Sequence, residues 1–501
     1  MSGNPPGMLA ESPGNSYAVA RAAHAGDRGL REDTVPPERW MQQIWRHQRI
    51  HRDRLRTLDG PPVRVLHPGY WNREPGPDFR DAVIQVGDAP AVRGDVEVDR
   101  DVSGWRTHQH AGNPAYGRVV LHVVWSAPRR TVLSPVLALL PHLDAPLAEL
   151  AEWLETRAPA LVPENLPGLC AGPLRDLDPA DVRVLIHEAA RVRLRDRAGG
   201  FRIRARHAGW DQALWEGLLV ALGYKHNGWP MRRLAELVPV GPHSDPHPGD
   251  PRELWEARLL GLSGLLPAEL PRGAGRVEVR RLWDLWWRER DAWEGRIVPR
   301  FAWRLGGVRP ANHPLRRMIV AARWRAGDLL GPALEQWLER PASPRGFPRE
   351  LRRLLTPPPV PGDFWSRHLT LGSGRISGSA PLLGASRISE LALNVVLPWL
   401  YARTQDRNRD DLAREAVRRF FLWPGAGDNA GLRLARERLF GGARRRGLES
   451  GAAQQGLHQI LQDFCQRAGP LCGACRFPGW VRQRNPAPPP PGAPTSMKSL
   501  D

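Results

Sequence analysis

Lysine is almost absent from this sequence of 501 residues. Only Lys225 and Lys498 are lysines, so the other 70 of the 72 basic residues are arginines. Long apolar runs are absent too: no stretch of 18 or more apolar residues occurs, which excludes an ordinary transmembrane helix. The opening MSGNPPGMLAESPGNS lacks the basic and then apolar order of a secretory signal. We therefore expect a cytoplasmic protein that does not contact a membrane.

Acidic residues are too few to balance the arginines. The chain holds 72 basic and 53 acidic residues, a formal net charge of +19 with a pI near 11.1. Clustered arginines attract the phosphates of nucleic acids and release their counterions. A GC-rich genome would favour arginine over lysine, but that exchange alone does not explain the excess of basic over acidic residues. The alternative to a nucleic-acid partner is a merely basic surface. Nucleic acid is thus one expected partner, and the sequence identifies no protein partner.

Cysteine is scarce, and its four copies are unevenly spaced. The sequence CQRAGPLCGAC gives the pattern C-x6-C-x2-C near the end of the chain, and the fourth cysteine lies far upstream. A disulfide framework is not expected in a chain of this size without an export signal. Three thiolates in one loop and a distant fourth can bind Zn²⁺ tetrahedrally or a [4Fe–4S] cluster. We predict a metal site at Cys170, Cys465, Cys472 and Cys475.

Hydrophobic patterning changes once along the chain and predicts an α+β fold. Short β-branched runs separated by turn residues predict strands between Val63 and about Leu143, and an amphipathic pattern in PPERWMQQIWRHQRIHRDRLRT predicts a preceding helix. After Pro179 apolar residues recur three and four apart, which predicts a large helical domain. The predicted divisions are a disordered tail (1–35), an α+β unit (36–160), a helical domain closed by the cysteine site (161–482) and a disordered proline-rich tail (483–501).

Carboxylates cluster around two predicted strands. Asp78 precedes the first strand, and Glu97 and Asp99 fall in the second, two residues apart and therefore on one face. Oxygen ligands of this kind suit Mg²⁺ or Mn²⁺, which polarise a phosphate and activate water for phosphodiester hydrolysis. The structural alternative is ordinary turn chemistry and an exposed acidic strand face.

Three histidines follow within the same β-rich stretch. His108 and His110 belong to a predicted loop, and His122 lies in the apolar run VVLHVVW. Histidine is the usual general base near neutral pH and a frequent metal ligand, so these side chains are candidates for either role. Alternatively, His122 is a core residue with its hydrogen bonds satisfied.

Several motifs resemble an uncharacterised bacterial family, domain of unknown function 2851. The resemblance extends from about Pro37 to Trp480 and implies no activity. The matching segments are HPGYWNREPGPDFRDAVIQVGDAPAVRGDVEVDRDVSGWRTHQHAGNPAYGRVVLHVVW, ALGYKHN, RPANHPLRRM, LNVVLPWLYA and GLHQILQDFCQRAGPLCGAC.

A looser resemblance concerns the β-rich unit alone. Pro77-Asp78 and, about twenty residues later, Glu97-Val98-Asp99 are similar to the PD-(D/E)xK pattern of restriction-nuclease-like folds. That resemblance implies two carboxylates that hold Mg²⁺ and a lysine that orients water. Here Asp99 occupies the lysine position, which leaves two interpretations: His108 or His110 takes over the role, or the nuclease-like fold is inactive.

The cysteine spacing also resembles known iron–sulfur proteins. It is similar to the loop of endonuclease III type glycosylases and to the iron–sulfur staple of AddB-type nucleases, and the resemblance implies a [4Fe–4S] cluster. The functions that follow are a metal-dependent nuclease or nucleic-acid-processing protein, or a non-catalytic nucleic-acid-binding or protein-scaffolding module.

Overall fold

A computed structural model gives the fold. It describes residues 15–25, 35–72, 74–103, 105, 113–127, 135–151, 166–224, 226–241, 249–273, 275–327, 330–358, 360, 362–465 and 472–484. The candidates His108 and His110 lie outside these residues, as does Lys225. The described chain confirms a mixed α+β fold, with a curled sheet near the N-terminus followed by mostly helical structure.

One sheet forms the β-rich part. Its strands run in the order β1-β3-β4-β5-β6, and β2 pairs with β3. The first three strands of that order are antiparallel, whereas β4, β5 and β6 are mutually parallel. The strands are β1 (Val63–His67), β2 (Tyr70–Trp71), β3 (Phe79–Val86), β4 (Val92–Val98), β5 (Val119–Val124) and β6 (Val136–Ala138).

The central strands approach each other closely because of one glycine. Gly94 in β4 has no side chain, and a Cβ built there would lie 2.3 Å from Cγ1 of Val120 in β5. Five consecutive residues of β4 are buried, which is typical of a strand covered on both faces.

A short amphipathic helix packs against this sheet. Helix α2 (Glu38–His47) follows α1 (Ser16–Ala25) and buries Trp40, Ile44 and Trp45 in one cluster with sheet residues. The sequence pattern predicted a longer helix. It ends at His47 because Gln48 adopts a left-handed conformation at φ 50°.

Helix α1 lies within the segment that the sequence assigned to a disordered tail. Tyr17 is completely buried, and its hydroxyl donates a hydrogen bond to Oδ2 of Asp463 at 2.8 Å. The helix is short and its apolar residues are mostly alanine, so its pattern gives little sign of the long-range contact that orders it.

The rest of the described chain is helical. Two π-helical segments, Ala392–Val396 and Leu461–Cys465, continue neighbouring α-helices. The α-helices are α3 (Leu147–Ala151), α4 (Ala171–Asp176), α5 (Pro179–Ala208), α6 (Trp210–Leu222), α7 (Gly228–Leu237), α8 (Arg252–Leu262), α9 (Gly275–Trp286), α10 (Pro314–Arg325), α11 (Leu330–Glu339), α12 (Gly346–Leu355), α13 (Phe364–Arg367), α14 (Ala385–Leu391), α15 (Leu397–Asp406), α16 (Asp410–Leu422), α17 (Ala430–Phe440), α18 (Gly451–Ile460) and α19 (Phe477–Gln483). Within the described part, every helix is too short or too polar to span a bilayer.

The chain's contacts separate two units. The first unit takes the described residues of Arg28–Thr156 and Leu194–Ala426, and the second takes those of Ala10–Asp27, Arg157–Arg193 and Gly427–Asp501. The boundaries predicted from the sequence stay predictions. The first unit contains the sheet and the second contains the four cysteines.

Candidate functional site

Asp78 and Glu97 lie side by side where β3 begins and β4 ends. Oε2 of Glu97 accepts a hydrogen bond from the backbone N–H of Asp78 at 3.0 Å, and Oδ2 of Asp78 accepts one from the N–H of Val98 at 3.2 Å. The antiparallel pairing of Phe79 with Val96 fixes this register. The fold therefore brings together two carboxylates that are 19 positions apart in sequence.

Helix α2 adds two polar residues that the sequence interpretation missed. Nε2 of Gln42 donates to Oδ1 of Asp78 at 2.8 Å and to Oε1 of Glu38 at 3.0 Å. Glu38 and Gln42 are four apart and therefore share one face of the helix. The four-residue spacing of Glu38 and Gln42 was the signal in the sequence that the two side chains lie together. It did not indicate which strand the helix would contact.

The carboxyl groups of Asp78 and Glu97 resist ionisation. Burial, and then the neighbouring charge of Glu38, raises the pKa of Asp78 to about 7. Burial, and then the charge of Asp78, raises the pKa of Glu97 to about 9, with Asp99 and Glu38 adding to the effect. Four acidic side chains thus repel one another electrostatically in a poorly solvated region. A bound cation would reduce this repulsion.

Asp99 and His122 form a buried pair beside the cluster. Nε2 of His122 lies 2.9 Å from Oδ2 of Asp99, and their side chains are 1% and 3% exposed. Parallel pairing of β4 with β5 places His122 opposite Glu97. Nδ1 of His122 is buried and has no hydrogen-bond partner among the described groups. The residue at the lysine position of the nuclease pattern therefore holds an imidazole.

Two aromatic side chains border this pair. The ring of Trp105 lies 5.4 Å from that of His122 and 6.0 Å from that of Tyr116. Burial, and then the charge of Glu97, raises the pKa of Tyr116 to about 12. The tyrosine hydroxyl therefore stays protonated and can donate a hydrogen bond near the carboxylates.

The acidic cluster is not arranged as a formed metal centre. In the part of the chain that the structure describes, no three or more His, Cys, Asp or Glu side chains are positioned to hold one ion. The carboxylates of this cluster are nevertheless the ligand type that Mg²⁺ and Mn²⁺ prefer.

The four predicted cysteine ligands are all free thiols. Cys170, Cys465 and Cys472 are buried and Cys475 is partly buried, and all four belong to the second unit. The metal site predicted at these cysteines stays a prediction, because no group of three or more such side chains in the described chain is positioned to hold one ion.

A separate cavity in the first unit joins two of the sequence motifs, ALGYKHN and RPANHPLRRM. It has a volume of about 200 Å³ and is lined by Tyr224, Asn227 and Asn312 among others. The Tyr224 hydroxyl donates to Oδ1 of Asn312 at 2.6 Å, and buried Arg317 donates to that hydroxyl at 2.9 Å. Tyr224 also has φ 56°, a conformation that non-glycine residues rarely adopt. These contacts explain the two motifs as a structural junction around a cavity.

Comparison with known proteins identifies the family. A family profile described as "Protein of unknown function (DUF2851)" matches residues 38–422. No curated protein and no solved structure matches the chain. Since the matched region is more than half of the chain and includes both the acidic cluster and the Tyr224 cavity, this protein belongs to the DUF2851 family of proteins of unknown function.

Proposed function

We propose that this protein is a metal-dependent phosphodiesterase that acts on nucleic acid, with its active site at the acidic cluster. The observation that carries the proposal is the contact between partly buried Asp78 and buried Glu97, with Glu38 of helix α2 close by. Folds seldom bury several acids together without a cation or a catalytic reason, because each ionised carboxylate raises the pKa of the others.

The order of elements supports the same proposal. One helix, α2, precedes three antiparallel strands, and the chain then returns to add β5 parallel to β4. This order is compatible with the restriction-nuclease-like core that the sequence resemblance implies. It places the two carboxylates on adjacent strands and leaves the next parallel strand to supply His122.

In this proposal four residues of the site each have a defined role. Asp78 and Glu97 would hold Mg²⁺ or Mn²⁺, which when bound supplies Lewis acidity toward the phosphate. His122 takes a proton from the attacking water at Nδ1, while Asp99 holds Nε2–H and is a positioning residue. The Asp99–His122 pair would thereby replace the lysine of the nuclease pattern.

The alternative function is a non-catalytic nucleic-acid-binding or scaffolding module on the same fold. Asp99 in place of lysine is the observation that favours it. The two functions make different predictions for one assay.

The test is cleavage of labelled DNA and RNA, single- and double-stranded, by the full chain with Mg²⁺ or Mn²⁺. We expect Asp78→Asn and Glu97→Gln each to reduce the cleavage rate by at least about 100-fold, because each removes a metal ligand. The matched control is Asp81→Asn, since Asp81 lies in β3, three residues after Asp78, but pairs with Arg93 and Arg118 at the surface.

Three results would separate the functions. Loss of cleavage in both variants but not in the control supports the active site. Cleavage that persists in both variants contradicts the site. Salt-sensitive binding by a folded wild-type chain that never cleaves favours the alternative module.

The role of His122 needs its own variant. We expect His122→Gln to lower the cleavage rate while the chain stays folded, because the proton acceptor is gone. An unchanged cleavage rate would assign His122 a structural role only.

A further inference from the structure

The four cysteines lie on three separate elements that meet in the second unit. Cys170 directly precedes α4, and Cys465 is the last residue of the π-helical segment. Cys472 and Cys475 form a turn ahead of α19, in which the N–H of Cys475 donates to the carbonyl of Cys472 at 3.1 Å. No local feature of the sequence requires Cys170 to be at this place, so its position there is a product of the tertiary fold.

The sulfur atoms lie close together. A Cβ built on Gly168 would be 3.3 Å from Sγ of Cys170 and 3.7 Å from Sγ of Cys472, so these sulfurs are at most 7.0 Å apart, the sum of the two distances. Cys170 and Cys465 belong to one cluster of buried apolar residues, and Cys475 packs against that cluster. Sγ of Cys170 also lies 3.9 Å from the carbonyl oxygen of Arg438, the residue whose guanidinium contacts Sγ of Cys472.

A buried arginine faces this group without a carboxylate. Arg438 is 1% exposed; Nη2 donates to Sγ of Cys472 at 2.8 Å, and Nη1 donates to the carbonyl of Leu166 at 2.6 Å. Among the residues that the structure describes, no Asp or Glu pairs with it. An isolated buried guanidinium is costly, so a negative charge is expected beside it. A neutral thiol supplies none.

We propose that Cys170, Cys465, Cys472 and Cys475 bind one thiolate-ligated metal centre, either Zn²⁺ or an iron–sulfur cluster, and that Arg438 is its counterion. Four thiolates around a divalent ion or a doubly positive cluster leave a net charge of about −2, which pairs with the guanidinium. Binding forms four metal–sulfur bonds and releases the thiol protons to solvent without any redox change. This inference is independent of the proposed nuclease function.

Metal binding requires a modest rearrangement. The described thiols do not surround a common point, and the residues between Cys465 and Cys472 lie outside the described chain. Side-chain rotations would bring the sulfurs to the metal–sulfur distance of about 2.3 Å. The backbone already groups them, which is the larger part of the ordering cost of such a site.

The direct test is the metal content of the full chain, purified without oxygen. We expect about one zinc per chain, or about four iron atoms with matching acid-labile sulfide and visible absorption, for a tetrathiolate zinc site or a [4Fe–4S] cluster. Either result supports the proposal. Cys170→Ser and Cys472→Ser should each lose most of the metal.

A glycine pair provides a test that leaves every ligand in place. Gly168→Ala puts a methyl group 2.9 Å from the carbonyl of Arg438 and against two of the sulfurs, so it should lower metal occupancy several-fold. Gly172→Ala, one helical turn away in α4, meets nothing within 4 Å and should retain the metal. Circular dichroism of both variants separates loss of metal from loss of fold.

Two outcomes would overturn the proposal. One is a folded chain that holds no metal after incubation with Zn²⁺ and, separately, with iron and sulfide, while four thiols react on unfolding. The other is metal that stays bound when Cys170 and Cys472 are both serine.

Discussion

Partly buried Asp78 lies beside buried Glu97, and the ionisation of both carboxyl groups is linked to folding. A carboxyl group whose pKa is raised in the folded state keeps its proton at pH values where the unfolded chain has released it. The unfolded state then binds fewer protons, so the free energy of unfolding falls as pH rises. The ordinary value for Glu97 is 4.5 and the folded value is about 9, which sets the range of this loss.

We therefore expect the metal-free protein to lose stability between about pH 5 and about pH 8. Glu97→Gln should flatten this dependence by at least about 1.4 kcal/mol, the equivalent of one pKa unit, because the amide cannot ionise. Denaturant unfolding of both proteins at several pH values, with a chelator present, measures the difference.

An exposed glutamate supplies the control. Glu74 is 76% exposed and pairs only loosely with Arg80, so Glu74→Gln should follow the wild-type pH dependence. If the free energies of unfolding of the wild type and of Glu97→Gln changed in parallel with pH, the carboxyl group of Glu97 would ionise in the folded state at no cost in stability, which contradicts this prediction.

At the scale of the elements, arginine serves as an internal connector of helices. Arg419 in α16 is completely buried and donates to the carbonyls of Trp337, Leu338 and Arg340 at 2.7, 3.0 and 2.7 Å. The C-terminal carbonyls of a helix lack partners within that helix, so this guanidinium satisfies the end of α11. Arg316 in α10 bonds in the same manner to carbonyls around Trp365 and His368.

Arg419→Met should lower the free energy of unfolding by about 3 kcal/mol or more, because three buried carbonyls each lose a hydrogen bond of about 1 kcal/mol. Arg418→Met is the matched control. Arg418 and Arg419 both pair with Glu415, but Arg418 is 32% exposed, so its replacement should lower the free energy of unfolding by less than about 1 kcal/mol. Equal effects in chemical denaturation would show that the internal hydrogen bonds contribute no more than the surface pair.

Elements differ in how far local pattern predicted them. The strands and helix α2 were predicted because alternation and three-to-four spacing are local properties of the chain. Strand β2 was missed, since two residues carry no period. The predicted length of α2 was wrong because Gln48 adopts a left-handed conformation. Residues other than glycine rarely adopt that conformation, so the sequence pattern did not indicate that the helix ends there.

For the whole molecule, the charge of +19 overstates the basic surface available to a partner. Arginines at positions 258, 316, 419 and 438 are at most 1% exposed. These four are enclosed in the fold and cannot contact phosphates. The proposed binding of nucleic acid therefore depends on the arginines that remain at the surface.

We expect the full chain to bind duplex DNA with an affinity that falls at least about tenfold between about 50 and 200 mM salt. Neutralisation of two phosphates gives a loss of this size, because each contributes a slope of about 0.9 on logarithmic axes. Fluorescence anisotropy across salt concentrations measures the slope. An affinity that is undetectable at the lowest salt would contradict nucleic acid as the partner.

The sequence by itself determined the α+β class, most strands, the amphipathic face of α2 and the family. These features depend on local periodicity and on motifs that are read along the chain. Tertiary structure alone decided that Glu38 and Gln42 join Asp78, that Asp99 holds His122, and that Arg438 faces the cysteines. Such contacts join residues that are far apart in sequence. Strand register and helix packing determine which of these residues meet, and no single segment of the sequence encodes that register or packing.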